Sequence, residues 1–234
     1  MSRCNDPGRW ARRAGAALCG AVALAAAHAG DMTLSTPDGP YALRVTSLKE
    51  MRFASTMRQR YDFSCGSAAV ATLLTYQYGL KVSEAMAFQR MYAAGNQPKI
   101  QREGFSMLDM KRYLDSLGYL AQGVEVTLDQ LAEARVPAIA LVRENNYLHF
   151  VVIKGLRGDR MLLGDPALGT RTVARDAFER IWMNGILLVV TSHTEQAVFN
   201  DERDWRARPM APLRRAFDLT GMDTQLLRRG PMDY

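Results

Sequence analysis

The sequence predicts an α+β fold in which helices pack on a mainly antiparallel sheet. Between residues 66 and 134, apolar residues recur at helical spacing, and the segments begin and end at helix boundary signals. After Pro137 the pattern changes to short apolar runs separated by turn residues, which is typical of strands. Helices followed by strands favour the α+β class over an alternating, parallel sheet.

The first 29 residues have the pattern of an export signal. Four arginines precede the apolar run 14–27, and Ala27-His28-Ala29 is a small-x-small cleavage pattern. The apolar run has about 14 residues, whereas a membrane span needs roughly 18 to 20. We therefore expect cleavage before Gly30, a periplasmic mature protein and no stable membrane span after signal removal. A retained anchor and a lipid anchor on Cys19 are the alternatives.

Removal of the signal changes the charge and the cysteine count. Residues 1–29 hold four arginines and one aspartate, so the net charge falls from +6 to +3, which is too small to indicate nucleic acid as a partner. Cys4 and Cys19 leave with the signal, and Cys65 remains. A disulfide within the mature chain is therefore excluded. Cys65 is then a reactive thiol, a buried core residue or one half of an intermolecular disulfide.

The mature chain divides into a lead-in (30–57), one domain (58–192) and a polar tail with a peripheral helix (193–234). Two short strands are predicted in the lead-in, at 41–45 and 51–57. Helices are predicted at 66–78, 83–93, 106–117, 128–134 and 174–183. Strands are predicted at 138–142, 150–153, 161–163 and 186–191.

Cys65 lies where the polar run 59–64 meets a helix that is apolar nearly all round. Ser64 occupies the N-cap position, which places Cys65 in the first turn. There the thiol faces free backbone N–H groups and the positive end of the helix dipole, which lower its pKa and favour the thiolate. Cys65 is therefore the candidate nucleophile.

The base must come from His149 or His193, the two histidines that remain after signal removal. His149 opens an apolar strand, where its ring can point into a cleft while its neighbours pack in the core. His193 stands where the polar tail begins, and we expect it to be solvated. A core histidine bonded to the backbone is the alternative interpretation of His149.

Asp165 is the candidate for orienting the imidazole. Counting from a turn centred near Arg157, residues 149 and 165 are both eight positions away, so we expect them to face each other across a hairpin. A carboxylate there fixes the histidine tautomer and stabilises the imidazolium. The alternative is that Asp165-Pro166 simply ends a strand.

Gln59 is the candidate oxyanion donor. Acyl transfer to a thiolate develops negative charge on the carbonyl oxygen, and a side-chain amide can stabilise that charge together with the Cys65 N–H. Spacing alone only suggests this role, because glutamine is common on surfaces.

These residues, in the order Gln59, Cys65-Gly66, His149-Phe150-Val151-Val152 and Asp165-Pro166, resemble the papain-like cysteine peptidases that trim double-glycine leaders from bacteriocin precursors. The resemblance spans about 58–190 and implies a papain-like fold. It also implies that Cys65 is the nucleophile, His149 the general base and acid, Asp165 the orienting residue and Gln59 part of the oxyanion hole.

The chain departs from that family in three ways. Ser64 stands where the leader peptidases commonly have Asp, no transporter or ATP-binding domain is fused to it, and it carries its own export signal. It is therefore most similar to stand-alone exported members, some of which accompany secretion systems, including those of functional amyloid. The resemblance implies a secreted peptide or protein as substrate, and a secretion-system or amyloid component as partner.

Alternatives to an exported peptidase remain open at this point. They are a non-catalytic module that binds or escorts a peptide with the same fold, and a transglutaminase or cell-wall amidase. A zinc site of Cys65, His149 and Asp165 is disfavoured because such ligands usually come in closer-spaced pairs, so no cofactor is expected. We expect helices between 83 and 117 to wall the cleft, with Phe105, Met107 or Tyr147 lining it.

Overall fold

The computed structural model describes residues 31–36, 39–44 and 47–206. The predicted signal and most of the predicted tail lie outside the described residues. The chain divides into two units, Met1–Val45 and Thr46–Tyr234. In the first unit, β1 (Asp31–Thr36) and β2 (Gly39–Arg44) form an antiparallel hairpin. Strand β2 confirms the strand predicted at 41–45. The strand that pairs with it, β1, comes before it in the sequence.

The predicted strand at 51–57 is wrong, because a short helix, α1 (Leu48–Arg52), occupies its start. Ser47 and Glu50 form a capping box in which the Ser47 hydroxyl accepts from the Glu50 amide at 3.1 Å. In return the Glu50 carboxylate accepts from the Ser47 amide at 2.9 Å. These two bonds satisfy free N–H groups of the first turn and outweigh a weak strand-like alternation.

The five helices predicted between residues 66 and 183 are present, and further helical segments accompany them. The first predicted helix starts one residue early, at Cys65, and its last turns are a π-helix rather than an α-helix. The helix at 97–103, the 3₁₀ turn after His193 and the bounds of the short terminal helix were not predicted. The helices after α1 are α2 (Cys65–Thr72), the π-helix (Leu73–Gln77), α3 (Glu84–Ala94), α4 (Gln97–Glu103), α5 (Met107–Ser116), α6 (Leu128–Ala134), α7 (Arg175–Ile181), the 3₁₀ turn (Thr194–Gln196) and α8 (Glu202–Arg206).

Six antiparallel strands form the sheet of the second unit, in the order β3-β8-β4-β5-β6-β7. The four predicted strands are its centre, whereas β3 and β7 were not predicted. The strands are β3 (Ala121–Glu125), β4 (Ala138–Glu144), β5 (Tyr147–Arg157), β6 (Arg160–Asp165), β7 (Gly169–Ala174) and β8 (Trp182–Val190). The α+β class is thus confirmed.

The sheet is buried on both faces, which explains why its central strands are continuous apolar runs. Phe150 and Val152 of β5 join the core formed with α2, α3 and α5. Val151 and Ile153 point the other way, into a second core that includes Phe178 of α7. Successive side chains of β5 point to opposite faces of the sheet, so the strand contributes to both cores. Helix α2 packs directly on this strand.

Among the described residues, the helices are all too short or too polar to span a bilayer.

Candidate active site

Cys65 is the first residue of α2, with Ser64 as N-cap. The Ser64 hydroxyl does not cap the helix. It accepts from the amides of Arg60 and Tyr61 and donates to the Tyr61 carbonyl, so it fixes the turn that precedes the cysteine. Gly66 is required for packing, because a Cβ there would lie 2.9 Å from Cβ of Phe105.

The predicted fall in the pKa of Cys65 is wrong for this structure. The residue is only 6% exposed, and burial raises the pKa of its thiol. The backbone amides of Phe150, Gly66 and Cys65 itself oppose this effect but do not outweigh it. The helix start therefore acts as predicted, but desolvation of the thiolate has the greater influence. The resting thiol is neutral and needs a base during attack.

This burial predicts the pH dependence of alkylation in the free protein. Because burial raises the pKa of Cys65, the iodoacetamide rate should rise with pH and reach its midpoint above the ordinary value of 9.0. The rate is measured between pH 6 and 11 by mass spectrometry of the Cys65 peptide. A midpoint below pH 7 contradicts the prediction, because it indicates a preformed thiolate–imidazolium pair.

His149 and Asp165 form the predicted pair. Nε2 of His149 lies 3.2 Å from Oδ2 of Asp165, and both residues are buried. The other ring nitrogen, Nδ1, is also buried and has no hydrogen-bond partner among the described residues. With the carboxylate ionised, the ring proton belongs on Nε2, which leaves the Nδ1 lone pair free to accept a proton.

The contact is right, but the predicted register is not. The hairpin turn lies at Gly158 and Asp159, since Arg157 pairs with Arg160. A bulge between Ile153 and Gly155 then shifts the pairing by one residue, so that Val152 pairs with Gly164. His149 is consequently a diagonal neighbour of Asp165 on one face of the sheet, a distance that long side chains bridge.

Asp165 is held by four donors. Its Oδ1 accepts from the amides of Ala167 (2.9 Å) and Leu168 (3.1 Å), and its Oδ2 accepts from Nε of Arg171 at 3.1 Å as well as from His149. Burial raises the pKa of Asp165, but the hydrogen bond from His149, the charge of Arg171 and the amide of Ala167 outweigh burial and lower it. The carboxylate is therefore ionised and fixed in orientation.

Arg171 was not identified from the sequence. Its guanidinium joins Asp165 to Glu144 at the end of β4, with Nη1 and Nη2 lying 3.2 and 2.6 Å from the two Glu144 oxygens. Ligand-type atoms of Glu144, His149 and Asp165 all lie within 4.8 Å of one another. Among the described residues, the possible metal ligands that lie close together thus include Glu144 and not Cys65, unlike the zinc site of Cys65, His149 and Asp165 considered from the sequence. Its two carboxylates are already compensated by the guanidinium.

We predict that Arg171→Met lowers kcat/KM by about tenfold, the effect of losing charge-assisted hydrogen bonds. Arg171 lowers the pKa of Asp165, so its removal raises that pKa and moves the acid limb of the pH–rate profile to higher pH. Arg175→Met is the matched control, because Arg175 also bridges two carboxylates, Asp129 and Glu179. An unshifted acid limb in Arg171→Met contradicts the prediction.

Gln59 lies on the segment that leads to Cys65. Its amide donates to the carbonyl of Pro166 at 3.1 Å, which ties the segment to the residue after Asp165. Its side-chain Oε1 is buried without a hydrogen-bond partner among the described residues. The side-chain amide lies beside the Tyr147 hydroxyl, where its hydrogen bond tempers a Tyr147 pKa that burial and the nearby Cys65 raise.

Tyr147 connects the segment before Cys65 with His149 on β5. Its hydroxyl donates to the carbonyl of Asp62 at 2.5 Å, and its ring stacks on that of His149 with centroids 5.6 Å apart. The side chain therefore covers the imidazole from solvent. Tyr147 does not line the cavity that opens beside Cys65, contrary to the expectation from the sequence.

A cavity of about 330 Å³ opens beside Cys65. Its walls are largely apolar, and Glu103 and Asn184 add polar groups. Phe105 and Met107 line it as expected, but this wall is the connection between α4 and α5 (103–107) rather than the helices themselves. The remaining lining residues are Gly104, Ser106, Leu141, Leu148, Phe150, Met183 and Ile186. The cavity can hold an apolar side chain of a peptide whose carbonyl lies at the sulfur.

Residues 54–195 match the family model described as "Peptidase C39 family", a range that contains Gln59, Cys65, His149 and Asp165. Two curated relatives carry the name "Probable functional amyloid protease FapD". The one from Pseudomonas fluorescens is 40% identical over 178 residues, which cover 75% of this chain and 78% of that protein. The one from Pseudomonas aeruginosa is 42% identical over 147 residues, covering 63% and 65%.

Among solved structures, the chain is similar to a double glycine motif protease from an AMS/PCAT transporter, determined in complex with the leader peptide. The identity is 25%, the TM-score is 0.47, and the match covers 58% of this chain and 91% of that one. The family match spans most of the second unit, and the FapD relative covers three quarters of the chain at 40% identity. The chain therefore belongs to the peptidase C39 family and is a papain-like cysteine peptidase.

Proposed function

We propose that this chain is an exported peptidase that cleaves a peptide bond in a secreted peptide or protein. The observation that carries the proposal is the buried His149–Asp165 pair, in which Nδ1 of His149 is unpartnered among the described residues. His149 lies on β5, the strand on which the helix that begins at Cys65 packs. An ionised, fixed carboxylate, a basic ring nitrogen and a thiol at a helix start are what acyl transfer through a cysteine needs.

In the acylation step, the Cys65 sulfur attacks the substrate carbonyl carbon while its proton passes to Nδ1 of His149. The oxyanion accepts hydrogen bonds from the Cys65 amide and from the side-chain amide of Gln59. The intermediate collapses as His149 returns the proton to the leaving nitrogen. The C–N bond breaks, an amine departs, and a thioester remains on Cys65.

Water completes the reaction. His149 removes a proton from water as the oxygen attacks the thioester carbonyl, and the C–S bond then breaks. The products are a free carboxylic acid and the Cys65 thiol, so the reaction involves no net oxidation or reduction. Asp165 keeps the ring oriented in both half-reactions and stabilises the transient imidazolium.

The cavity beside Cys65 supports a peptide substrate with an apolar residue near the scissile bond. Phe105, Met107 and Phe150 supply its apolar lining, and Leu148 stands at its edge with 45% exposure. The relatives named as functional amyloid proteases support an amyloid-type or other secretion-system component as the partner. The signal pattern of residues 1–29 supports action in the periplasm.

The test uses a panel of synthetic peptides with a Gly-Gly pair before the scissile bond and an apolar residue upstream of it. Mass spectrometry in water enriched in oxygen-18 should find one heavy oxygen in the new C terminus. Transfer to an added amine instead of water supports a transglutaminase, and binding without cleavage supports an escort module. Either result overturns the proposal.

A further inference from the structure

A buried ammonium group lies on β5, outside the site described above. The side chain of Lys154 has no exposed surface and sits at the bulge between Ile153 and Gly155. Its Nζ donates to the carbonyl and the hydroxyl of Ser55 at 2.8 and 2.9 Å, and lies 2.5 Å from Oδ2 of Asp204. An ammonium taken out of water is strongly unfavourable unless it is paired, and here all three protons have partners.

Asp204 completes this cluster from the far end of the chain. It lies on α8, is 5% exposed, and its second oxygen accepts from the Ser55 hydroxyl. Lys154, Ser55 and Asp204 therefore bond to one another in a closed triangle. Removing either charge leaves the other buried and unpaired.

Residues 197–206, here called the strap, are held on β5 by their backbone. The Asn200 amide donates to the Lys154 carbonyl at 2.9 Å, and its side chain donates to the Leu156 carbonyl at 3.1 Å. Gly155 permits this approach, because a Cβ there would overlap Oδ1 of Asn200. The strap therefore packs directly against the bulge of β5.

The segment from Ser55 to Gln59 is bonded at nearly every residue. The Thr56 hydroxyl lies 2.8 Å from that of Thr170. The Met57 amide donates to the Thr72 hydroxyl at 2.9 Å. The Gln59 amide donates to the Pro166 carbonyl. Ser55 is the upstream anchor of this segment, and its bonds run to Lys154 and Asp204.

We propose that Asp204 and Lys154 are positioning residues that hold Ser55, and through it Gln59, in place. The family match ends at residue 195, so Asp204 and the rest of the strap lie outside the matched range. The link to catalysis depends on the proposed oxyanion role of Gln59, whereas the mechanical link does not.

The first test is hydrogen exchange, which needs no substrate. Asp204→Asn should speed exchange of the amides in 54–60 by about tenfold or more, while β4 and β6 stay protected. Asp176→Asn, an exposed aspartate paired with Arg180, is the matched control. Unchanged exchange in 54–60, or an increase of the same size in every strand, overturns the proposal.

A second variant covers the case in which Asp204→Asn does not fold. Lys154→Met combined with Asp204→Leu replaces the pair by apolar side chains of similar size and removes the buried charges. It should unfold at a temperature near that of the unchanged protein, yet show the same fast exchange in 54–60, because Ser55 has lost both its donor, Lys154, and its acceptor, Asp204. Retained protection in this folded variant also overturns the proposal.

The catalytic arm uses a peptide that the unchanged protein cleaves. Asp204→Asn should lower kcat about tenfold with little change in KM. Iodoacetamide alkylation of Cys65, which forms no oxyanion, should change less than about twofold. Adding Gln59→Ala should cost little more, since both changes remove one donor. Fast exchange without peptide cleavage by the unchanged protein refutes the proposed function but not the strap.

Discussion

Cys65→Ala is expected to abolish peptide cleavage, with kcat/KM falling by roughly 10³-fold or more. In the proposed mechanism the Cys65 sulfur forms the covalent intermediate, and no other cysteine follows the predicted signal. Cys65→Ser should be nearly as inactive, because a hydroxyl is far harder for the His149 imidazole to deprotonate than a thiol is. Cleavage is measured by mass spectrometry of the products.

Cys19→Ala is the matched control for this change, since it removes a thiol from the predicted signal and should leave the mature activity unchanged. Alanine leaves a small gap at the helix start, so the melting temperature of Cys65→Ala should stay close to that of the unchanged protein. Cleavage by Cys65→Ala above about a hundredth of the normal rate contradicts a nucleophilic role.

His149→Ala should have the second largest effect, again about 10³-fold in kcat/KM. Because burial raises the pKa of Cys65, the thiol is neutral at rest and attack needs a base to take its proton. Combining it with Cys65→Ala should lower activity no further, since the two residues act as one unit. The rates are compared at pH 7 with the same peptide.

His193→Ala provides the control for the loss of an imidazole. His193 stacks on Tyr119, and its Nδ1 lies 3.0 Å from the Ser192 hydroxyl, so these contacts hold its ring among residues that do not belong to the site. The variant should keep normal cleavage. If His149→Ala and His193→Ala lose activity equally, the assignment of the base to β5 is wrong.

The candidate site was largely predictable because its parts obey local rules. A cysteine after a polar run and before a small-residue helix marks a helix start, and a short list of histidines selects His149. The register was not predictable, since it depends on a bulge at Lys154, where the distant strap packs against Gly155. The turn count reached the correct partner because a diagonal neighbour still lies within side-chain reach.

The missed residues share a different property, which is long sequence separation between charged partners. Lys154 meets Asp204, and Arg171 meets Glu144, across 50 and 27 positions respectively. A charge in a strand looks like a solvated residue until the partner is known. For α1 a local signal existed: Ser47 followed by Glu50 is a capping box. Strand β3, Ala121–Glu125, lacks apolar alternation and gave no such signal.

The hydrogen bond between the Gln59 amide and the Pro166 carbonyl joins two segments of the proposed site that lie far apart in the sequence. In the proposed mechanism Asp165 orients the base, and the neighbouring Pro166 anchors the segment that carries Gln59, the proposed oxyanion donor. Any shift of this end of β6 therefore moves proton transfer and charge stabilisation together. A substitution at 166 should therefore alter proton transfer and charge stabilisation at the same time. Because acylation and deacylation both need these two effects, their rates should change in the same direction.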